Sequence, residues 1–219
     1  MSLKEHTVKS YDKDLQAIAS TLDEMKELVS TSIDMVAEMI IERHDDYLEK
    51  ISAHDYKINS LDFLIEKKIT AMLAMRQPMA VDLRYIVSAL KVSSNLERVG
   101  DQAKSIIKKI HRIGFTSFEG RVKESLLEMV ELSKQMVRDS VYAFNEQDLE
   151  KTDIVLKTDD RIDQTYSDLF HILEAGNFSK DQLEKMINIL FIAKSFERLA
   201  DHSTNIAEIT KYVITGETK

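Results

Sequence analysis

Turn-forming residues are rare in this sequence, and this limits the folds available to it. Its 219 residues include five glycines and one proline. Because glycine and proline mark most turns, so few of them indicate few turns and long regular elements. Charged residues make up 31% of the chain and are mixed in sign along it, which suits long helices with solvated faces. We therefore predict an all-α protein.

Apolar residues recur with helical spacing over most of the chain and predict six long helices. Their approximate bounds are 9–43, 46–75, 79–113, 118–145, 148–176 and 180–213. Asp148 is the expected N-cap of the fifth helix, and Ser179 and Gln182 have the spacing of a capping box before the sixth. Long helices joined by short connections pack antiparallel, so we expect up-down bundles.

The chain also contains an internal repeat. Residues 95–101 align with residues 195–201, and both strings contain Glu-Arg, an apolar residue, a small residue and Asp. In the preceding helix of each half, residues 55–59 align with residues 159–163. Self-similarity of this kind indicates one structural unit used twice. The expected fold is two pseudo-symmetric three-helix bundles, formed by residues 1–113 and residues 117–219.

Each repeated string carries a Glu and an Asp four residues apart: Glu97 with Asp101, and Glu197 with Asp201. Residues at this spacing lie one turn apart on the same helical face, where two carboxylates repel each other. A cation between them removes that repulsion, and carboxylate oxygens suit Mg²⁺, Ca²⁺, Mn²⁺, iron and, in some sites, Zn²⁺. One such pair is usually a solvated face or an ion-pair partner for Lys or Arg. Its duplication favours a metal site, although a repeated salt-bridge network remains an alternative.

Acids in the second helix of each half add to these pairs. Asp55, Asp159 and Asp163 lie on a shoulder of their helices, where they can face the neighbouring helix and complete a shared acidic cluster. Asn59 stands where the second half has Asp163, so the first cluster carries less charge. The six histidines include no pair four residues apart, and we expect them at the surface. The predicted metal sites are therefore rich in oxygen ligands.

The third and sixth helices are apolar on two sides in their first halves. Opposite the main apolar stripe lie Leu83, Ile86 and Leu90 in the third helix, and Leu183, Met186 and Leu190 in the sixth. Such a second face must pack against another helix or another subunit. Between the acids of each pair stand Gly100 and Ala200, whose small size indicates either close helix packing or space for a bound ion.

Composition excludes several classes of function. A net charge of −8 and a pI of about 5.3 argue against binding to a nucleic-acid backbone, which requires clustered Lys and Arg. The absence of cysteine excludes thiolate catalysis and cysteine-bound zinc or iron–sulfur sites. The sequence has no phosphate-binding glycine loop, nucleophile elbow or HExxH motif, so we predict no catalytic residues and no enzyme.

The distribution of apolar residues along the chain also indicates where in the cell the protein is located. No stretch approaches the ~20 apolar residues that cross a bilayer, and the polar start of the chain lacks the pattern of a secretory signal. We expect a cytoplasmic protein whose contact with a membrane, if any, is peripheral.

At residues 96–101 and 196–201 the sequence resembles the PhoU family of bacterial phosphate-transport regulators, and residues 78–84 resemble the opening of that family's third helix. The resemblance covers essentially the full chain. It implies two pseudo-symmetric three-helix bundles whose surfaces bind multinuclear metal clusters, with iron or zinc in known members. The implied ligands are Glu97, Asp101, Glu197 and Asp201, with Asp55, Asp159 and Asp163 as additional ligands.

The resemblance also implies a role and partners. PhoU-like proteins restrain the phosphate-starvation response, and they are thought to link the phosphate ABC transporter at the inner face of the membrane to a sensor histidine kinase. A homodimer is expected as well. Two alternatives remain open: a metal-dependent helical-bundle enzyme, such as an oxidase or phosphohydrolase, and a plain helical scaffold whose acids form only ion pairs.

Overall fold

A computed structural model describes residues 3–76, 78–79, 81–114, 118–176 and 179–217, without the side chains of residues 3–10 and 181. Over these residues the chain forms six helices, and we find no strand among them. They are α1 (Leu3–Ile41), α2 (Tyr47–Arg76), α3 (Val81–Ile113), α4 (Gly120–Glu146), α5 (Leu149–Glu174) and α6 (Lys180–Thr215). The predicted all-α fold is confirmed. The largest difference from the predicted bounds is at α1, which extends further towards the N-terminus because no glycine or proline interrupts it.

Side chains define where α5 and α6 begin. The Asp148 carboxylate accepts hydrogen bonds from the backbone N–H groups of Glu150 and Lys151, at 2.9 and 3.1 Å. At α6 the Ser179 hydroxyl accepts from the N–H of Gln182, whose side chain accepts from the N–H of Ser179. Both predicted caps are confirmed, and they satisfy N–H groups that have no acceptor within the helix.

The two halves of the molecule share one hydrophobic core. Helices α1, α2 and α3 pack together, as do α4, α5 and α6, and the halves meet through α1 on α4 and α3 on α6. The buried apolar residues form one continuous cluster that runs from Ile18 in α1 to Val213 in α6. The contact between α3 and α6 is the most extensive in the molecule, so these two helices, which carry the repeated acidic strings, form its centre.

The small residues between the paired acids serve helix packing. A Cβ atom at Gly100 would lie 3.0 Å from the Ile58 Cδ1 atom on α2 and 3.9 Å from the Val29 Cγ2 atom on α1. Ala200 is completely buried in the corresponding place. Gly100 and Ala200 therefore face the core, away from any ion bound by the acids.

Among the described residues, no helix has the length and apolar content needed to cross a bilayer.

Candidate metal centres

Helices α5 and α6 bring four acidic side chains into one cluster, which we call the second acidic cluster: Asp159, Asp163, Glu197 and Asp201. Burial and the charges of Asp163 and Asp201 raise the pKa of Asp159 to about 6. Burial and the charge of Glu197 raise the pKa of Asp163 and of Asp201, and Lys194 opposes both shifts. Asp159, Asp163 and Asp201 thus each respond to an acid on the neighbouring helix, so α5 and α6 place these side chains and Glu197 close together, as the sequence predicts.

One carboxylate oxygen of Glu197, in the second acidic cluster, is buried without a hydrogen-bond donor. The Glu197 side chain is only 18% exposed, and its Oε1 accepts a hydrogen bond of 2.5 Å from the Lys194 ammonium. The oxygen without a donor is Oε2. A buried carboxylate oxygen without a donor is energetically costly, and a bound cation would remove that cost. The donor chemistry of this cluster therefore suits a hard or borderline metal ion.

Helices α2 and α3 form the corresponding first acidic cluster from Asp55, Glu97 and Asp101. Burial and the charge of Asp101 raise the pKa of Glu97, with smaller contributions from Asp62 and Asp55. Burial, the charge of Asp55 and a hydrogen bond with it raise the pKa of Asp101. All three predicted residues therefore lie together. Asn59 is exposed on α2, at the position that Asp163 occupies on α5.

The first acidic cluster already contains cationic side chains. Lys104 places its ammonium 2.5 Å from the Asp55 Oδ2 atom, and the aligned position in α6 is Thr204. The Arg98 guanidinium lies 3.5 Å from Glu97 and 3.9 Å from Asp101. Part of the negative charge is thus balanced by the protein itself. The second acidic cluster contains one more carboxylate and has Thr204 where the first has Lys104.

Sequence reasoning missed these lysines. Lys104 lies three residues after Asp101, and Lys194 lies three residues before Glu197, which is a spacing that allows ion pairs on a helix. That spacing was a usable signal for a nearby cation. It did not reveal that Lys104 would reach Asp55 on α2 instead, because that contact depends on how α2 packs against α3.

The acids of the two clusters are not arranged as a coordination shell in this structure. Within the described part of the chain, no three His, Asp or Glu side chains stand in an arrangement ready to hold an ion. Binding would require the carboxylates to converge and Lys194 to release Glu197.

Two histidines near the clusters point to other groups. The ring of His202 shares a hydrogen bond of 3.1 Å with the side chain of Asn95 on α3, and the ring of His54 lies 3.2 Å from the Ser32 hydroxyl on α1. Burial lowers the pKa of both histidines. The expectation that all histidines lie at the surface is wrong for these two, since both are half-buried where helices pack.

Comparison with known proteins identifies the repeat. The family model described as the PhoU domain matches residues 22–110 and, a second time, residues 126–210. This chain belongs to the PhoU family. Each matched segment contains one acidic cluster of this PhoU family member.

Relatives of this PhoU family member match it over nearly its full length. The chain is 33% identical to the phosphate-specific transport system accessory protein PhoU homolog of Caulobacter vibrioides, over 98% of this chain and 94% of the relative. It is also 33% identical to the protein of the same description from Clostridium acetobutylicum, over 96% of this chain and 97% of the relative.

Solved structures agree with the fold of this PhoU family member. The crystal structure of PhoU from Pseudomonas aeruginosa is 25% identical, with a TM-score of 0.85, over 94% of this chain and 100% of that one. The phosphate transport system regulatory protein PhoU from Streptococcus pneumoniae is 26% identical, with a TM-score of 0.83, over 94% of this chain and 98% of that one.

Proposed function

We propose that this protein is an accessory protein of phosphate transport that restrains the phosphate-starvation response. One observation carries the proposal: relatives described as phosphate-specific transport system accessory proteins match 96–98% of the chain, through both PhoU-domain repeats. The protein acts by binding other proteins rather than by catalysis.

The finer role follows from the family resemblance. The protein is a cytoplasmic adaptor that links the phosphate ABC transporter at the inner face of the membrane to a sensor histidine kinase, and it works as a homodimer. Metal ions regulate this adaptor. They neutralise acids that otherwise repel each other and hold α2 against α3, and α5 against α6.

The second acidic cluster is the stronger metal site in this proposal. Asp159, Asp163, Glu197 and Asp201 supply carboxylate oxygens, and the donor-free Oε2 of Glu197 favours a ligand at that point. Asp55, Glu97 and Asp101 form the weaker site, because this cluster has one carboxylate fewer and both Lys104 and Arg98 lie against it, whereas Lys194 is the cation bound to the second cluster. Iron or zinc is the proposed metal, and the oxygen donors also accept Mn²⁺, Mg²⁺ or Ca²⁺.

Metal content tests the metal part of the proposal. The protein is purified without a metal-bearing resin, and its metals are measured by plasma mass spectrometry. We expect Glu197→Gln with Asp201→Asn to lose more metal than the matched change Glu97→Gln with Asp101→Asn in the first acidic cluster. Glu184→Gln, an exposed change on α6, is the control. Full metal content in the Glu197 and Asp201 double variant would remove both residues from the ligand set.

A genetic experiment tests the role in phosphate regulation. The gene is deleted from its own host, and a reporter of the phosphate-starvation response is measured at high phosphate. Deletion should switch the reporter on, and the intact chain should switch it off again. A silent reporter in the deletion strain contradicts the proposal. Sustained turnover of phosphate esters or oxygen by the purified protein, abolished by a chelator, would support a metal-dependent enzyme instead.

A further inference from the structure

A long groove lies between the N-terminal half of α3 and the C-terminal half of α6, and none of the acids of the two clusters lines it. Its volume is about 890 Å³, and its apolar lining includes Leu83, Val87, Leu90, Ile209 and Tyr212. Leu83 and Val87 are 39% and 38% exposed, so large apolar surface is left in contact with water. Contiguous exposed apolar surface of this kind marks an interaction site.

The dimensions of the groove match a helix. It follows α3 from Leu83 to Asn95, a distance of about 18 Å at 1.5 Å per residue, or a little over three helical turns. Leu83, Val87 and Leu90 are spaced by four and three residues, so they form a ridge along α3. The space between two such helices accepts the apolar face of a third helix.

Basic residues flank this apolar lining. Arg84 and Lys91 of α3 line the groove, and the Arg84 Nε atom is buried without a hydrogen-bond acceptor. Lys211 of α6 also lines it and lies 2.7 Å from Asp153 on α5, while Glu208 and Glu217 supply two negative charges. Because Lys211 is paired with Asp153, the basic character of the lining rests on Arg84 and Lys91 of its α3 wall, on a chain whose net charge is −8. The α3 side of the groove is therefore positively charged, although the chain as a whole is negatively charged.

We propose that this groove binds an amphipathic helix of a partner protein, with an apolar face and acidic flanks. The apolar face would cover Leu83 and Val87, and its carboxylates would lie near Arg84 and Lys91. This inference deepens the proposed adaptor role by naming the chemistry of a partner. It does not depend on metal binding.

A second copy of this chain fits the groove less well. Besides Tyr56, Phe63 and Leu64 on α2, an exposed apolar stripe on its own surface is formed by Leu183, Ile187 and Phe191 of α6. That stripe is flanked by Glu184 and Lys185, whose charges cancel, so it offers no surplus of carboxylates to Arg84 and Lys91. A bilayer fits less well too, because its flat surface cannot follow a concave groove.

Fluorescence anisotropy with two designed peptides tests the inference on the full chain. Both peptides are helices of about three turns with the same leucine face, and their flanks carry Glu in one and Lys in the other. We expect the Glu peptide to bind at least about tenfold more tightly than the Lys peptide. Val87→Glu should abolish binding of the Glu peptide, and Lys91→Glu should reverse the preference.

Matched controls keep the test decisive. Lys67→Glu makes the same change of charge at an exposed position on α2 and should leave binding unchanged. Circular dichroism confirms that each variant is folded. Equal affinity for the two peptides, no binding of either, or insensitivity to Lys91→Glu would overturn the inference.

Two further outcomes would also overturn it, because they assign the groove to another occupant. One is a dimer in sedimentation velocity that Val87→Glu converts to a monomer, which would make the groove a self-interface. The other is binding to vesicles of phosphatidylglycerol and phosphatidylcholine that Val87→Glu abolishes. A failed peptide test with an intact starvation reporter would reject the groove alone, so the two proposals fail separately.

Discussion

Lys104 places its ammonium 2.5 Å from the Asp55 carboxylate, at a position where the second repeat has Thr204. A lysine ammonium and a metal ion compete for the same oxygen, so this contact lowers the metal affinity of the first acidic cluster. We expect Lys104→Thr to increase that affinity by on the order of tenfold. Calorimetric titration with Mn²⁺ or Zn²⁺ measures it, in a chain that also carries Glu197→Gln and Asp201→Asn to silence the second cluster.

The control for this prediction is Lys108→Thr, which removes an exposed lysine one turn further along α3. It alters the net charge by the same amount without touching Asp55. If Lys104→Thr and Lys108→Thr change metal affinity equally, the effect is one of overall charge, and direct competition at Asp55 is ruled out.

The raised pKa of Asp159 predicts that the stability of the metal-free protein depends on pH. The pKa of this carboxyl is raised to about 6 from an ordinary value of 3.8, so the folded state binds the proton more tightly than the unfolded state does. Its contribution to stability is therefore complete below about pH 4 and is lost as pH rises through about 6. We expect Asp159→Asn to raise the free energy of unfolding at pH 7 to 8 by about 1 kcal/mol, after allowance for solvent screening, and to change little near pH 4.

Urea unfolding in the presence of a chelator, at several pH values, measures this effect. Asp168→Asn is the matched control, because Asp168 is exposed further along α5 and its charge is not among the causes of the raised pKa of Asp159. A gain from Asp159→Asn that is the same at pH 4 and pH 8 would show that ionisation of this carboxyl is not its cause.

Local features explain how much of this molecule could be predicted from its sequence. Helix bounds follow from periodicity and from the scarcity of glycine and proline, and Asp148 and Ser179 cap helices through neighbours two or three residues away. The Glu-x-x-x-Asp pairs are equally local. The sequence also predicts that Asp159 and Asp201 lie close together, but this prediction depends on α5 and α6 being neighbours.

What the sequence did not predict depends on packing between distant segments. The pairing of Lys104 with Asp55 joins α3 to α2, and the link between His202 and Asn95 joins α6 to α3. The single core shared by both halves depends on α1 meeting α4 and α3 meeting α6. Periodicity reveals which face of a helix is apolar, but it does not identify the helix that covers it.

The cap at Asp148 gives a prediction for stability. Asp148→Ala removes the acceptor for two N–H groups at the start of α5 and should lower the free energy of unfolding by about 1 kcal/mol. Asp148→Ser keeps an acceptor at this position and should retain most of the stability. The difference between these two variants, measured by urea unfolding, isolates the cap. Equal losses in both would indicate that the carboxylate charge, rather than the hydrogen bonds, is what matters.

The contact between Gly100 and Ile58 sets the size limit at the centre of the first half. A Cβ atom at Gly100 would lie 3.0 Å from Ile58 Cδ1, so that methyl group must move by a few tenths of an ångström. Gly100→Leu cannot be accommodated this way and should lower the free energy of unfolding by about 1–3 kcal/mol. Gly100→Ala gains up to about 1 kcal/mol of helix propensity, which crowding against Ile58 partly offsets.

Removing the Ile58 Cδ1 methyl group separates the gain in helix propensity at residue 100 from the cost of crowding. Ile58→Val deletes the Cδ1 atom, so adding Gly100→Ala to Ile58→Val should stabilise the chain by about 1 kcal/mol, more than the same change does in the wild type. The second repeat already has Ala200 in this position, fully buried, which indicates that the helices tolerate a Cβ there. A double-mutant cycle from urea unfolding measures the coupling. Zero coupling between the two substitutions would mean that Ile58 does not limit the size of residue 100.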